Sequence, residues 1–79
     1  MLRPKRNTLV VTFHTTAEAM ATEKLCKQQG LPGCLISAPR NVTADCGIAW
    51  SAPPETEQAL LQALAAAQIE IAGHYVMEL

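Results

Sequence analysis

The chain is short of most features that announce a chemistry. It has one Phe, one Trp and one Tyr, too few for the stacking platforms that hold single-stranded nucleic acid. Its formal net charge is −1, so no overall field draws it to nucleic acid or to an anionic membrane. No run approaches the roughly 20 apolar residues of a membrane span; neither partner is expected. The cysteines are Cys26, Cys34 and Cys46. Their spacing contains no Cys-x-x-Cys pair, which argues against a thioredoxin-type redox site and a thiolate zinc site. A glycine-rich phosphate loop, a catalytic acid–base pair and a metal-ligand constellation are also missing. No metal and no cofactor is expected, and a self-sufficient enzyme is disfavoured.

What is present bounds the class. Seventy-nine residues make one domain, burying roughly 60–65% of the unfolded surface around a small core. A hydrophobic content of 49% against 16% charged marks a folded chain. Residues 1–7, with Arg3, Lys5 and Arg6, read as a flexible basic tail ahead of a single domain over residues 8–79. No apolar stretch follows the tail, so it does not read as a signal peptide, and the cytoplasm is the expected location. A structural disulfide is not expected in that reducing compartment.

Residues 8–14 are rich in β-branched and aromatic side chains and predict a strand, with Leu9, Val11 and Phe13 on one face. Val10, Thr12 and His14 form a half-polar second face, which fits a sheet covered fully on one side only. Thr15 with Glu18 three residues later is a capping-box pattern. It predicts a helix to about Gln29, with Gly30 just past its end. Ala17, Met20, Ala21 and Leu25 form the expected inward stripe, and Glu23 can pair with Lys27 outside. Leu31-Pro32-Gly33 is a turn, residues 34–37 a second strand, residues 38–45 a loop and residues 47–51 a third strand. Ala52-Pro53-Pro54 is a hard break. Glu55-Thr56-Glu57 opens a second helix with acids at its favourable end, its buried face being Leu60, Leu61, Leu64 and Ala67. Residues 69–72 alternate and start a fourth strand, which continues or restarts through residues 75–77 after Gly73.

This order, β-α-β-β-α-β, predicts an α/β (α+β) ferredoxin-like sandwich: a four-stranded antiparallel or mixed sheet with two helices on one face. Right-handed crossovers make strands 1 and 2 parallel with strand 3 between them. The end of strand 1, the start of helix 1 and the loop from strand 2 to strand 3 then share an edge. Thr15, Thr16, Arg40 and Cys46 converge there.

Cys46 is the residue with the most to say. Gly47 has no side chain to cover it, and Arg40 and the start of helix 1 would both favour its thiolate. Pro39 stiffens the approach to Arg40. His14, if it lies at the same edge, is the candidate base for a Cys–His pair, and Glu23 and Asp45 are candidate partners of Arg40. Plainer readings stand beside these. Cys46 could pack as a small apolar residue at the mouth of a strand, with Arg40, His14, Glu23 and Asp45 as solvated surface groups. Cys26 and Cys34 read as structural, and Trp50 as packing. His74 has no partner in sequence and is expected to lie away from the cysteine loop.

The strand end Phe13-His14-Thr15, the Glu23-Lys24 pair, the Pro39-Arg40 pair and Cys46-Gly47 together resemble the Putative Se/S carrier protein-like family, over roughly residues 8–75. The resemblance implies that Cys46 carries sulfur or selenium as a persulfide or selenopersulfide. Its partners would be a donor protein of the cysteine-desulfurase type and an acceptor enzyme.

A second reading is a small binding or regulatory module. The loop from Pro39 to Gly47, facing the start of helix 1, would bind an anionic ligand or a partner. A homodimer through the open sheet face or the sheet edges is compatible with either reading. A metallochaperone of similar fold would need two closely spaced thiols near the first loop, and the chain lacks them.

Overall fold

A computed structural model describes residues 7–39 and 47–78. Strand β1 (Asn7–Thr12) leads into helix α1 (Thr16–Gln29), then strands β2 (Cys34–Ser37) and β3 (Ile48–Ala52). A 3-10 turn (Pro54–Thr56), helix α2 (Glu57–Ala66) and strand β4 (Gly73–Glu78) follow. The strands form one sheet in the order β2-β3-β1-β4, with every neighbouring pair antiparallel. β1 and β2 are therefore parallel with β3 between them. This is the expected ferredoxin-like arrangement, a four-stranded antiparallel sheet with two helices.

Local chemistry fixes the ends of α1. Thr15 is extended (φ −136°, ψ 155°) and closes a capping box with Glu18. At the other end Gly30 takes φ 71° and its N–H donates to Cys26 O. The N–H of Leu31 reaches the same oxygen at 2.9 Å. Glycine enters this left-handed region without the steric cost that a Cβ brings.

The inward face of α1 differs from the expected stripe. Ala17 and Ala21 are exposed, and Met20 is 58% exposed. The buried residues are Ala19, Thr22 and Cys26, with Leu25 packed partly against the core. α1 lies against β3 and β2, and small side chains on its inner face permit that close approach. Thr22 enters the core because its hydroxyl donates to Glu18 O at 2.9 Å, which satisfies it within the helix.

The core lies between the helices and one face of the sheet. It comprises Leu9, Val11 and Phe13, Trp50 and Ala52 from β3, and Leu60 and Leu64 from α2, with Ala19 and Cys26 of α1. On α2, Ala63 is buried with Leu60 and Leu64. Leu61 is half-buried, while Ala67, expected on the buried face, is the exposed C-cap. The second face of the central strands is better covered than expected: Val10, Thr12 and Ala49 are fully buried. Tyr75 contributes to this cover, since its ring lies back over Gly73, where a Cβ would come within 2.8 Å of its hydroxyl. Gly73 pairs with Thr12, and Tyr75 with Val10.

Other boundaries shift. β1 starts at Asn7, a residue placed in the tail by the sequence, and ends at Thr12, so His14 lies beyond it. β3 starts at Ile48 rather than Gly47 and runs through Ala52. The Glu55-Thr56-Glu57 opening is divided between the 3-10 turn and α2. The fourth strand is the restart after Gly73, while residues 69–72 are not strand. Gln68 takes φ 59°, its N–H bonds Ala65 O at 3.1 Å, and the N–H of Ile69 bonds Leu64 O at 2.9 Å. That Schellman-type ending turns the chain so that Ile69 and Ile71 pack on the core. Their alternation serves burial in an irregular segment.

Candidate functional site

The site read from the sequence divides at the described residues. Arg40, Asp45 and Cys46 lie outside them. Pro39, Gly47, His14, Thr15, Thr16 and Glu23 lie within them.

The register brings most of the second group to one end of the sheet. Thr12, the last residue of β1, faces Ala49 of β3, and Ser37, the last residue of β2, faces Ile48. His14, Thr15 and Thr16 follow β1 at this end, and Pro39 and Gly47 flank the segment that joins β2 to β3. The N–H of Ala38 donates to Gly47 O at 3.0 Å, which pins the two sides of that segment together. Gly47 has φ 72°, and a Cβ built on it would meet nothing within 4 Å. The backbone conformation calls for glycine here; the space around it is open.

Thr15 is already occupied. Its hydroxyl donates to Glu18 Oε1 at 3.2 Å and accepts from the Glu18 N–H at 3.3 Å. The Thr15 N–H donates to the same carboxylate oxygen at 3.1 Å. The acid therefore sits on the positive end of α1. This weakens the expectation that the helix end lowers a neighbouring thiol's pKa or holds an anion. His14 and Thr16 are exposed. Glu23 stands apart from this end: it is half-buried and about 10 Å along α1 from Thr16 at 1.5 Å per residue.

His74 differs from its sequence reading in one respect, its partner. It opens β4 next to Gly73, which pairs with Thr12, so it lies at the same end of the sheet as the β2–β3 connection, on the opposite edge. Its Nδ1 is 3.2 Å from Glu57 Oε2 at the start of α2. A contact between residues 17 apart on different elements leaves no spacing signal.

Two thiols are described, and they differ. Cys26 is 1% exposed, and burial pushes its pKa up, which keeps it protonated and unreactive. Cys34 is exposed, at the far end of β2 from the connection to β3. Its Sγ is 3.4 Å from Ser51 Oγ, and that hydroxyl donates to Cys34 O at 3.3 Å. Cys34 and Ser51 help line an open cleft of about 440 Å³ with Asn7, Thr8, Gly33 and Glu55. No spacing in the sequence signals that cleft, because three separate segments form it.

Trp50 is packing, as expected: it is 2% exposed in the core. Among the described residues its Nε1 has no hydrogen-bond partner. Among the described residues there is also no cluster of three or more His, Cys, Asp or Glu placed to hold a metal ion. No helix among them is long and apolar enough to cross a membrane.

Comparison with known proteins adds one finding. A family model described as Putative Se/S carrier protein-like matches residues 8–76. No curated protein and no solved structure matches the chain.

Proposed function

Because the chain belongs to the Putative Se/S carrier protein-like family, we propose that it carries sulfur or selenium on Cys46 between a donor of the cysteine-desulfurase type and an acceptor enzyme. The observation that carries this reading is the family match, which spans the segment holding Cys46. The pinned mouth of the β2–β3 connection supports it. A thiol one peptide bond from Gly47 is tethered to the end of a rigid sheet.

The loading step is a thiol–disulfide exchange. The Cys46 thiolate attacks the outer sulfur of the donor's cysteine persulfide. The bond between that sulfur and the donor's Sγ breaks as a new S–S bond to Cys46 Sγ forms. The donor leaves as a thiolate, and Cys46 holds the persulfide. Sulfur is transferred with no net oxidation, so no cofactor is required. In this reading Arg40 stabilises the thiolate and persulfide anions. Pro39 and Gly47 shape the loop, and His14 is the candidate base. Thr15, Thr16 and Glu23 complete the candidate binding set, although the Thr15 hydroxyl is committed to its cap.

Cys34 is not a resolving partner in this reading. It faces Ser51, and four residues of chain from Ser51 back to Gly47 span about 13 Å. Cys34 therefore stands at the opposite end of the sheet from Gly47. Cys34 is a competing exposed thiol and must be controlled.

The test is peptide-mapped mass spectrometry of the non-reduced protein after incubation with a cysteine desulfurase and cysteine. The wild type and the variants Cys34→Ser and Cys46→Ser are compared. The expected result is one added sulfur on Cys46, removed by reductant, retained in Cys34→Ser and absent in Cys46→Ser. Sulfur on Cys34 alone, or none on a Cys46 that alkylates readily, rejects carriage by Cys46. If Cys46→Ser also leaves binding of a partner or anion intact, the loop is a binding element.

A further inference from the structure

β4 (Gly73–Glu78) is an edge of the sheet; among the described residues it pairs only with β1. Sheets usually protect such an edge with proline, charged side chains (lysine above all), a bulge or a very short strand, and the one carboxylate of β4, Glu78, stands at its last position. β4 has six residues and neither proline nor lysine. Two of the three large apolar side chains exposed among the described residues are here: Val76, 51% exposed, and Tyr75, 40%. Val76 faces Leu9 across the β1 pair, so it lies on the helix-bearing face of the sheet, yet neither helix covers it.

The sequence of β4 is complementary to itself. When two copies pair antiparallel about a twofold axis at Val76, Val76 meets Val76, Tyr75 meets Met77, and His74 meets Glu78. The apolar side chains find apolar partners, the aromatic ring finds a thioether, and each imidazole finds a carboxylate. Residues that share a face stay on one face, because facing residues in antiparallel pairs point to the same side. Both helix layers then lie on the same side of a continuous eight-stranded sheet. Moving the axis by one residue to Tyr75 sets His74 against Val76 and loses the imidazole–carboxylate contact. Moving it to Met77 sets Val76 against Glu78.

We propose that the protein forms a homodimer by antiparallel pairing of β4 with β4 of a second copy, centred on Val76. The interface is isologous, so the same patch serves both copies and the assembly closes at two. In this dimer His74 lies between Glu57 of its own chain and Glu78 of the second copy. The two β2–β3 connections lie at opposite ends of the joined sheet, because antiparallel pairing reverses one copy against the other.

The test uses charge at the axis. Val76→Lys and Val76→Glu each place like charges directly opposite one another, a destabilising arrangement, at an exposed position where the isolated fold tolerates substitution. Light scattering and sedimentation, at concentrations up to about 1 mM, are expected to find the wild type dimeric. Each variant alone should weaken the dimer by roughly tenfold or more. An equimolar mixture of the two should dimerise again, because opposite charges now meet on the axis. A monomeric wild type overturns the proposal, as does a dimer that both variants leave unchanged. A mixture that stays monomeric overturns the register centred on Val76. Circular dichroism of each variant checks that the fold is retained.

Discussion

The backbone of Gly33 lies directly on the indole of Trp50. A Cβ placed on Gly33 would sit 2.6 Å from Trp50 Nε1 and 2.6 Å from Ser51 O, and the backbone there has φ 142°. No side chain fits that space without displacing the largest residue of the core. Gly33→Ala combines overpacking with a strained backbone and is expected to cost about 2–4 kcal/mol. Trp50 is the only tryptophan, so urea unfolding followed by its fluorescence measures the loss directly. A cost under about 0.5 kcal/mol would mean that Gly33 does not constrain the indole.

The capping box at Thr15 predicts a stability cost that a purely ligand-binding role does not. Thr15→Ala removes the acceptor of the Glu18 N–H and should lower stability by about 1 kcal/mol, while Thr15→Ser or Thr15→Asp should restore most of it. Unchanged unfolding of Thr15→Ala would free the residue for a role at the loop.

Gln68 holds φ 59° at the position past α2 where glycine is usual. Gln68→Gly relieves the Cβ clash of that conformation but adds freedom to the unfolded chain. The net expectation is a gain of about 0.5–1 kcal/mol. A midpoint that moves downward in chemical denaturation would contradict the Schellman-type ending.

Cys26 gives the fold an alkaline limit. Burial raises its pKa, whereas in the unfolded chain the thiol titrates near about 8.5. Its contribution is fully present below that value and is lost as pH rises through the folded value, because only the unfolded chain readily releases the proton. Stability should therefore decline above about pH 8.5, and less steeply in Cys26→Ala. In the native protein Cys34 should alkylate at once and Cys26 only on unfolding. Rapid native labelling of Cys26 would refute its place in the core.

How legible the molecule was depended on the range of each interaction. The Thr15–Glu18 box, the Gly30 ending and the Pro53-Pro54 break are local, and the sequence displays them within a few residues. The strand order followed from chain-crossover rules once four strands and two helices were counted. The sequence pattern misleads on the inner face of α1 because Met20 is the larger hydrophobe, whereas close packing on β3 selects Ala19, Thr22 and Cys26. Of the two courses open for the fourth strand, the restart after Gly73 is the observed one; the alternation of residues 69–72 looks the same whether it faces a sheet partner or fills the core. The partnership of His74 with Glu57 and the cleft beside Cys34 arise only when distant segments meet. Of the candidate site, its frame was legible: the end of β1, the start of α1 and the two sides of the β2–β3 connection. Cys46 and Arg40 were singled out by motif and lie outside the described residues.

The single bond from the Ala38 N–H to Gly47 O separates two kinds of selection. Everything on the sheet side of that clasp must keep register, since a one-residue slip would turn each strand inside out. Chain length beyond a clasp is cheap in general: doubling a loop raises its closure cost by only about 0.6 kcal/mol. A change of chain length beyond that clasp is therefore expected to leave the register of the described strands intact.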